Sequence, residues 1–239
     1  MSQSSKISAL ILGLFIFFGL SSLGYMLGGA ALKIKDYERT VTVKGLSERE
    51  FTADIVIWPI KFMLAGNDLE QLYNSIESNT AKIQIFLEKN GIAREEISFA
   101  VPFINDKLAQ QYGGQERAEF RYSANQTVTV YSVNIEAVRA VMSSLSSLGK
   151  QGIVFIGNEY DLGTEYLFTR LNEVKPEMIE EATRKAREVA EKFASDSKSI
   201  LGKIKRATQG QFSINARDKN NPHIKKVRVV STVVYYLSD

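Results

Sequence analysis

The chain has 239 residues, a net charge of +3, 44% hydrophobic residues and 24% charged residues. This composition excludes a disordered chain, which has less apolar content and more net charge, and a dedicated nucleic-acid binder, which needs a strong basic excess. There is no cysteine and one histidine, His223, so disulfides and thiolate chemistry are excluded, and any histidine-dependent triad or metal site must use that residue.

Residues 1–6 read as a short cytoplasmic N-terminus. Residues 7–32 carry no charge and exceed the roughly 20 apolar residues that cross a bilayer. They are expected to form a transmembrane anchor, with a cleaved signal as the alternative, because Leu10 to Leu20 alone satisfies a signal core. Lys33, Lys35 and Arg39 follow the span and only Lys6 precedes it, so a count of basic residues does not place the globular part outside. Gly24 and Gly28 form a G-x-x-x-G, a candidate packing motif between two membrane helices.

After the span, residues 40–44 alternate and are β-branched, which predicts a strand; Gly45 to Glu48 read as a turn or bulge. Residues 52–64 predict a long strand in which Pro59 marks an edge or bulge. Asn67 or Asp68 caps a helix to Asn90, with Leu69, Leu72, Ile76, Ile83 and Leu87 on one face. A strand over 96–104, an exposed loop over 105–117 and a strand over 119–132 follow. A helix over 134–148 leads to a strand region at 153–169, broken near Gly157 and Gly163. Residues 174–199 predict the longest helix, acidic at its start and basic later, which complements the macrodipole. Its Ala182, Ala186, Ala190 and Ala194 are spaced by four and form one stripe. With Phe193 they are read as a candidate subunit interface, against intramolecular packing. Strands at 204–216 and 225–237 end the chain.

The order over 52–169 is strand-helix-strand-strand-helix-strand, the ferredoxin-like βαββαβ arrangement. The expected fold is therefore α+β in two parts: a ferredoxin-like domain at 52–169 inserted in an outer α+β domain made of 38–51 and 170–239.

No catalytic constellation emerges. The sequence lacks a dinucleotide fingerprint, a P-loop and a nucleophile elbow. His223, in Asn220-Asn221-Pro222-His223, reads as a solvated loop residue. Glu95 and Glu96 read as solvated surface. Glu159 and Asp161 could share a face toward a hard cation, but no full oxygen cage is visible. Asn125-Gln126-Thr127 is a sequon inside a predicted strand. Residues 184–228 hold 13 Lys/Arg against four Asp/Glu, a local excess suited to an acidic surface. Trp58, Tyr235 and Tyr236 read as core or interface aromatics. No cofactor, no metal and no nucleic-acid partner is expected.

Val41-Thr42-Val43-Lys44-Gly45, Ser47-Glu48-Arg49 and Ala53-Asp54 resemble the opening of a SIMPL-domain protein. The resemblance continues through Lys175-Pro176-Glu177-Met178-Ile179, the alanine-rich helix, Leu201-Gly202-Lys203-Ile204 and Gln209-Gly210-Gln211-Phe212-Ser213. It departs from many such proteins at Ala53, where they have proline, and at Lys198, where several have glycine. The resemblance implies a bacterial envelope protein, exported or anchored with its globular part outside the cytoplasm, with suggested links to ring-like assemblies and to stress. The expected function is a non-enzymatic, self-assembling scaffold or stress-protective protein, a homo-oligomer with an unidentified protein partner; the alternative is a small-ligand or peptide-binding module.

Overall fold

A computed structural model describes residues 3–36, 39–109, 119–157 and 163–238. The fold is mixed α+β, with two antiparallel sheets and several helices. The elements are α1 (Gln3–Asp36), β1 (Thr40–Thr52), β2 (Ile55–Gly66), α2 (Leu69–Lys89), β3 (Ile97–Phe99), β4 (Phe103–Asp106), β5 (Tyr122–Ser132), α3 (Ile135–Ser144), α4 (Ser146–Gly149), β6 (Val154–Phe155), β7 (Glu165–Leu167), α5 (Leu171–Asp196), β8 (Ile200–Gln209), β9 (Ser213–Ala216) and β10 (Ile224–Ser238). The chain divides into two compact units. The first comprises Met1–Glu48, Lys175–Ser213 and Arg228–Asp239; the second comprises Arg49–Val174 and Ile214–Val227.

Within α1, Leu10–Gly29 is long and apolar enough to cross a membrane, with a mean hydropathy of 2.1. A signal sequence near an N-terminus meets the same description. Gly24 and Gly28 lie on this stretch with open space around them.

In the second unit the sheet order is β3-β5-β2-β6, with β4 also on β5 and β7 also on β2. Val56, Trp58, Ile60 and Phe62 alternate along β2 and are buried, because successive strand residues point to opposite faces. They form one core with Leu72, Ile76, Ile83 and Leu87 of α2, Val128 and Val130 of β5, and Val138 and Val141 of α3. Asp68 is the residue that caps α2, accepting from the Gln71 amide at 2.9 Å. Asn67 instead accepts from the Arg121 amide at 2.8 Å. Asn134 caps α3 through the Ala137 amide at 3.1 Å. Pro59 lies in β2 between the residues that pair with β7 and those that pair with β6, where a missing N–H leaves no ladder bond unmade.

Four expectations about elements are corrected. Gly45 to Glu48 are no turn; β1 runs straight through them. The strand expected over 96–104 is split, with a 3₁₀ turn at Arg94–Glu96, β3, and then β4 beyond Pro102, since proline cannot donate to a ladder. Asn105 and Asp106 belong to β4 rather than to a loop, and 110–118 lie outside the described residues. The strand expected over 204–216 is also split, into β8 and β9, around Gly210, whose amide donates to Val230 O at 2.8 Å.

Candidate functional site

His223 is not a solvated loop residue: it is half-buried, its imidazole lies edge-on to Tyr166 at 6.0 Å between centroids, and its Nδ1 is buried without a hydrogen-bond partner. Burial pushes its pKa below the ordinary value, Arg139 and Arg217 act in the same direction, and Asp218 and Glu136 oppose them. Its backbone carbonyl accepts from the Ala53 amide at 2.8 Å, which ties the 217–223 loop to the start of β2. Asp218 closes that loop by accepting from Arg217 Nε at 2.9 Å and from the Asn220 and Asn221 amides at 2.9 and 2.8 Å. These donors, Arg217 first, hold its carboxyl at about 2. The histidine thus faces one phenol, two cations and two acids. Among the described residues no three His, Asp or Glu side chains are placed to hold a metal. Glu159 and Asp161 lie outside the described residues, and Glu165 is exposed on β7.

In the first unit the sheet order is β1-β10-β8. The stripe Ala182, Ala186, Ala190 and Ala194 is buried there, and Val43, Val233 and Tyr235 pack with Ala186 and Ala190. The stripe serves intramolecular packing and presents no surface to a second chain; Phe193 alone of that candidate set is exposed, at 56%. The reason for small residues is the approach of α5 to β1. A Cβ built on Gly45 would stand 1.8 Å from Ala182 O and 2.5 Å from Ala186 N. A strand glycine therefore marks a place where another backbone comes close. Beside it, buried Ser47 donates to Glu181 Oε2 at 2.9 Å, and Lys185 Nζ pairs with Glu181 Oε1 at 2.6 Å. The helix ends as a Schellman motif, with the Ser199 amide donating to Ala194 O and the Lys198 amide to Ser195 O. Lys198 takes the left-handed conformation there, at φ 55°.

Two surfaces among the described residues bear on binding. An open groove of about 400 Å³ is lined by Glu180, Thr183, Arg184 and Arg187 of α5, Ile204 of β8 and Tyr235 of β10. Tyr235 is fully buried and its hydroxyl has no hydrogen-bond partner. In the second unit, the sheet face opposite the buried β2 residues carries Met63, Tyr131 and Val154, exposed at 41, 50 and 56%, with Leu167 at its end. The register sets Met63 against Val154, Ile57 against Tyr131 and Ile55 against Leu167, so these side chains share one face.

The SIMPL family, described as a "Protein of unknown function (DUF541)", matches residues 41–234. The chain belongs to the SIMPL family. The matched stretch begins after α1 and takes in the strand–helix contact at Gly45, the alanine stripe and both surfaces. A comparison with curated proteins gives no match. In this SIMPL chain, Lys198 occupies the left-handed position where the family resemblance leads one to expect glycine. Sequence reasoning registered the local basic excess and the aromatic pair at 235 and 236, but not the groove they help to form. The pointer was Lys203-Ile204-Lys205-Arg206, one apolar residue among three cations.

Proposed function

We propose that this SIMPL chain is a membrane-anchored, non-enzymatic protein of the cell envelope that assembles with further copies of itself. The apolar sheet face of the second unit carries this reading. On one face of this sheet Met63 and Val154 are exposed at one end of β2 and Tyr131 and Leu167 toward the other, with Pro59 and Lys61 between them, and exposed apolar side chains on a regular sheet face suit protein contacts. Leu10–Gly29 supports anchoring, with residues 39–238 outside the cytoplasm. We read the strand order β3/β4-β5-β2-β6/β7 as that of a ferredoxin-like sheet and this part as inserted in an outer domain that carries α5. The test is the solution mass of residues 33–239 by light scattering. A defined oligomer that dissociates in the Met63→Glu/Tyr131→Glu variant, with the Trp58 fluorescence transition intact, is expected. A monomer across all accessible concentrations would sink the assembly reading.

A further inference from the structure

We propose that the free edge of β8, together with the groove beside it, takes an extended acidic segment of a partner protein as an added strand. β8 is the last strand in the order β1-β10-β8, and its residues from Lys203 to Gln209 are exposed. An edge strand of this length offers a row of backbone donors and acceptors to any extended chain. The choice of occupant follows from charge.

The register pairs Ile204 with Tyr235 and Arg206 with Val234, leaving Lys205 as the extra residue of a bulge. Residues paired across a ladder share a face, so Ile204 lies on the α5 side with buried Tyr235, and Arg206 lies on the opposite side. Lys205 stands over the Tyr236 ring at 5.4 Å. Arg184 is paired with Glu188 at 2.9 Å, whereas Arg187, Lys203 and Arg206 have no ion pair among the described residues. Side chains of an added strand alternate between faces. One set would enter the groove beside Arg184 and Arg187, against Ile204, with Glu180 the single acid there. The other set would meet Lys203, Lys205 and Arg206. Both faces therefore favour carboxylates, with one apolar residue over Ile204.

The same cations reject a second copy of this chain. Antiparallel β8–β8 pairing centred on this stretch would set the Lys203–Arg206 cations of one copy against those of the other, and like charges facing each other across a ladder are destabilising.

The experiment uses the full chain in zwitterionic nanodiscs and three labelled nine-residue peptides, read by fluorescence anisotropy. The first carries glutamate at every position except a central valine, so that both faces present carboxylates. The second is the same peptide N-methylated on alternate amides, which removes ladder donors but keeps the charge. The third carries lysine in place of glutamate. The first peptide is expected to bind, and the other two are expected to bind at least about tenfold more weakly, the loss that goes with removing ladder bonds or reversing several screened charge contacts. The Lys203→Glu/Arg206→Glu variant is expected to weaken the first peptide about tenfold. Equal binding of the N-methylated peptide would overturn strand addition, as would indifference to the double variant. Binding of anionic vesicles through the same residues, without binding of the first peptide, would assign the edge to lipid head groups and overturn the proposal as well.

Discussion

Gly45→Ala is a one-carbon change with a large expected cost. The new Cβ would lie 1.8 Å from Ala182 O, 2.5 Å from Ala186 N and 2.9 Å from Ala182 C. All three are helix backbone, so no side chain can swing aside. A carbon–oxygen contact settles near roughly 3.3 Å, so α5 has to retreat by about 1.5 Å, or β1 has to bend by the same amount. Overpacking of this kind costs about 1–3 kcal/mol. The retreat also separates Ala186 and Ala190 from Val43, Val233 and Tyr235, and a gap of about 0.5–1 Å already forfeits a quarter to a half of each contact. The combined expectation is a loss of about 3–4 kcal/mol, a large part of the roughly 5–15 kcal/mol that holds a domain folded. Urea unfolding of residues 33–239 followed by far-UV circular dichroism reads the loss, and hydrogen exchange on α5 amides locates it. Trp58, the single tryptophan, lies in the second unit, so its fluorescence follows that unit separately. Gly149→Ala, where a Cβ meets nothing within 4 Å, is the control and should be nearly silent. A Gly45→Ala protein within about 0.5 kcal/mol of wild type, the range of an ordinary surface change, would show that the close approach of α5 to β1 is not as described.

Three further outcomes follow from single groups. Lys198→Gly relieves a left-handed backbone at φ 55° and should raise stability by about 1 kcal/mol in urea denaturation; a loss would mean that the lysine side chain holds the helix end. Tyr235→Phe removes a fully buried hydroxyl without a partner at nearly constant volume and should leave the unliganded protein equally stable or about 1 kcal/mol more stable; a clear loss would reveal a partner for that oxygen. Burial lowers the His223 pKa from its ordinary 6.5, so below that value the unfolded chain binds more protons than the folded one. The histidine's contribution therefore makes stability fall on acidification through this window and recover as pH rises. Urea midpoints at several pH values should show a steeper acid loss in wild type than in His223→Gln, and parallel curves would refute the assignment.

Local signals carried much of the fold. The five apolar positions from Leu69 to Leu87 place α2, and Asp68 caps it as a short acceptor should. The alternation in β2 separates the buried face from the exposed one. What failed was information held by neighbours. Glycine at 45 reads as punctuation when only its propensity is considered, yet it lies inside a strand because α5 needs the space of its missing Cβ. A four-residue alanine spacing fits a partner chain as well as the chain's own sheet, and only the pairing of β1, β10 and β8 decides between them. His223 sits in a turn-like tetrad, so its burial against Tyr166 could not be foreseen without knowing that β7 pairs with β2 beside it. The groove at Tyr235 depends on the bulge register of β8 on β10, which no single segment encodes.

A net charge of +3 conceals how the charges are arranged, and the arrangement bears on function. Along α5 the acids crowd the first turns, where the helix dipole favours them, and Glu181 is consumed internally by Ser47 and Lys185. The cations later in the helix and on β8 have fewer partners: Arg187, Lys203 and Arg206 carry none among the described residues. If these cations served only to keep the edge soluble, any sign of charge would do, and the mixed signs found elsewhere on the surface would be expected. Instead one sign prevails on both faces of the β8 edge, next to an exposed isoleucine. The combination repels a like copy, resists apolar aggregation and leaves an acidic strand as the complementary occupant. The sheet face in the other unit differs in exposing apolar Met63, Tyr131 and Val154, and it is the surface on which the proposed self-contact rests. The two surfaces thus differ in chemistry, and under the proposed reading a single anchored chain would hold its own copies through one unit and a different protein through the other.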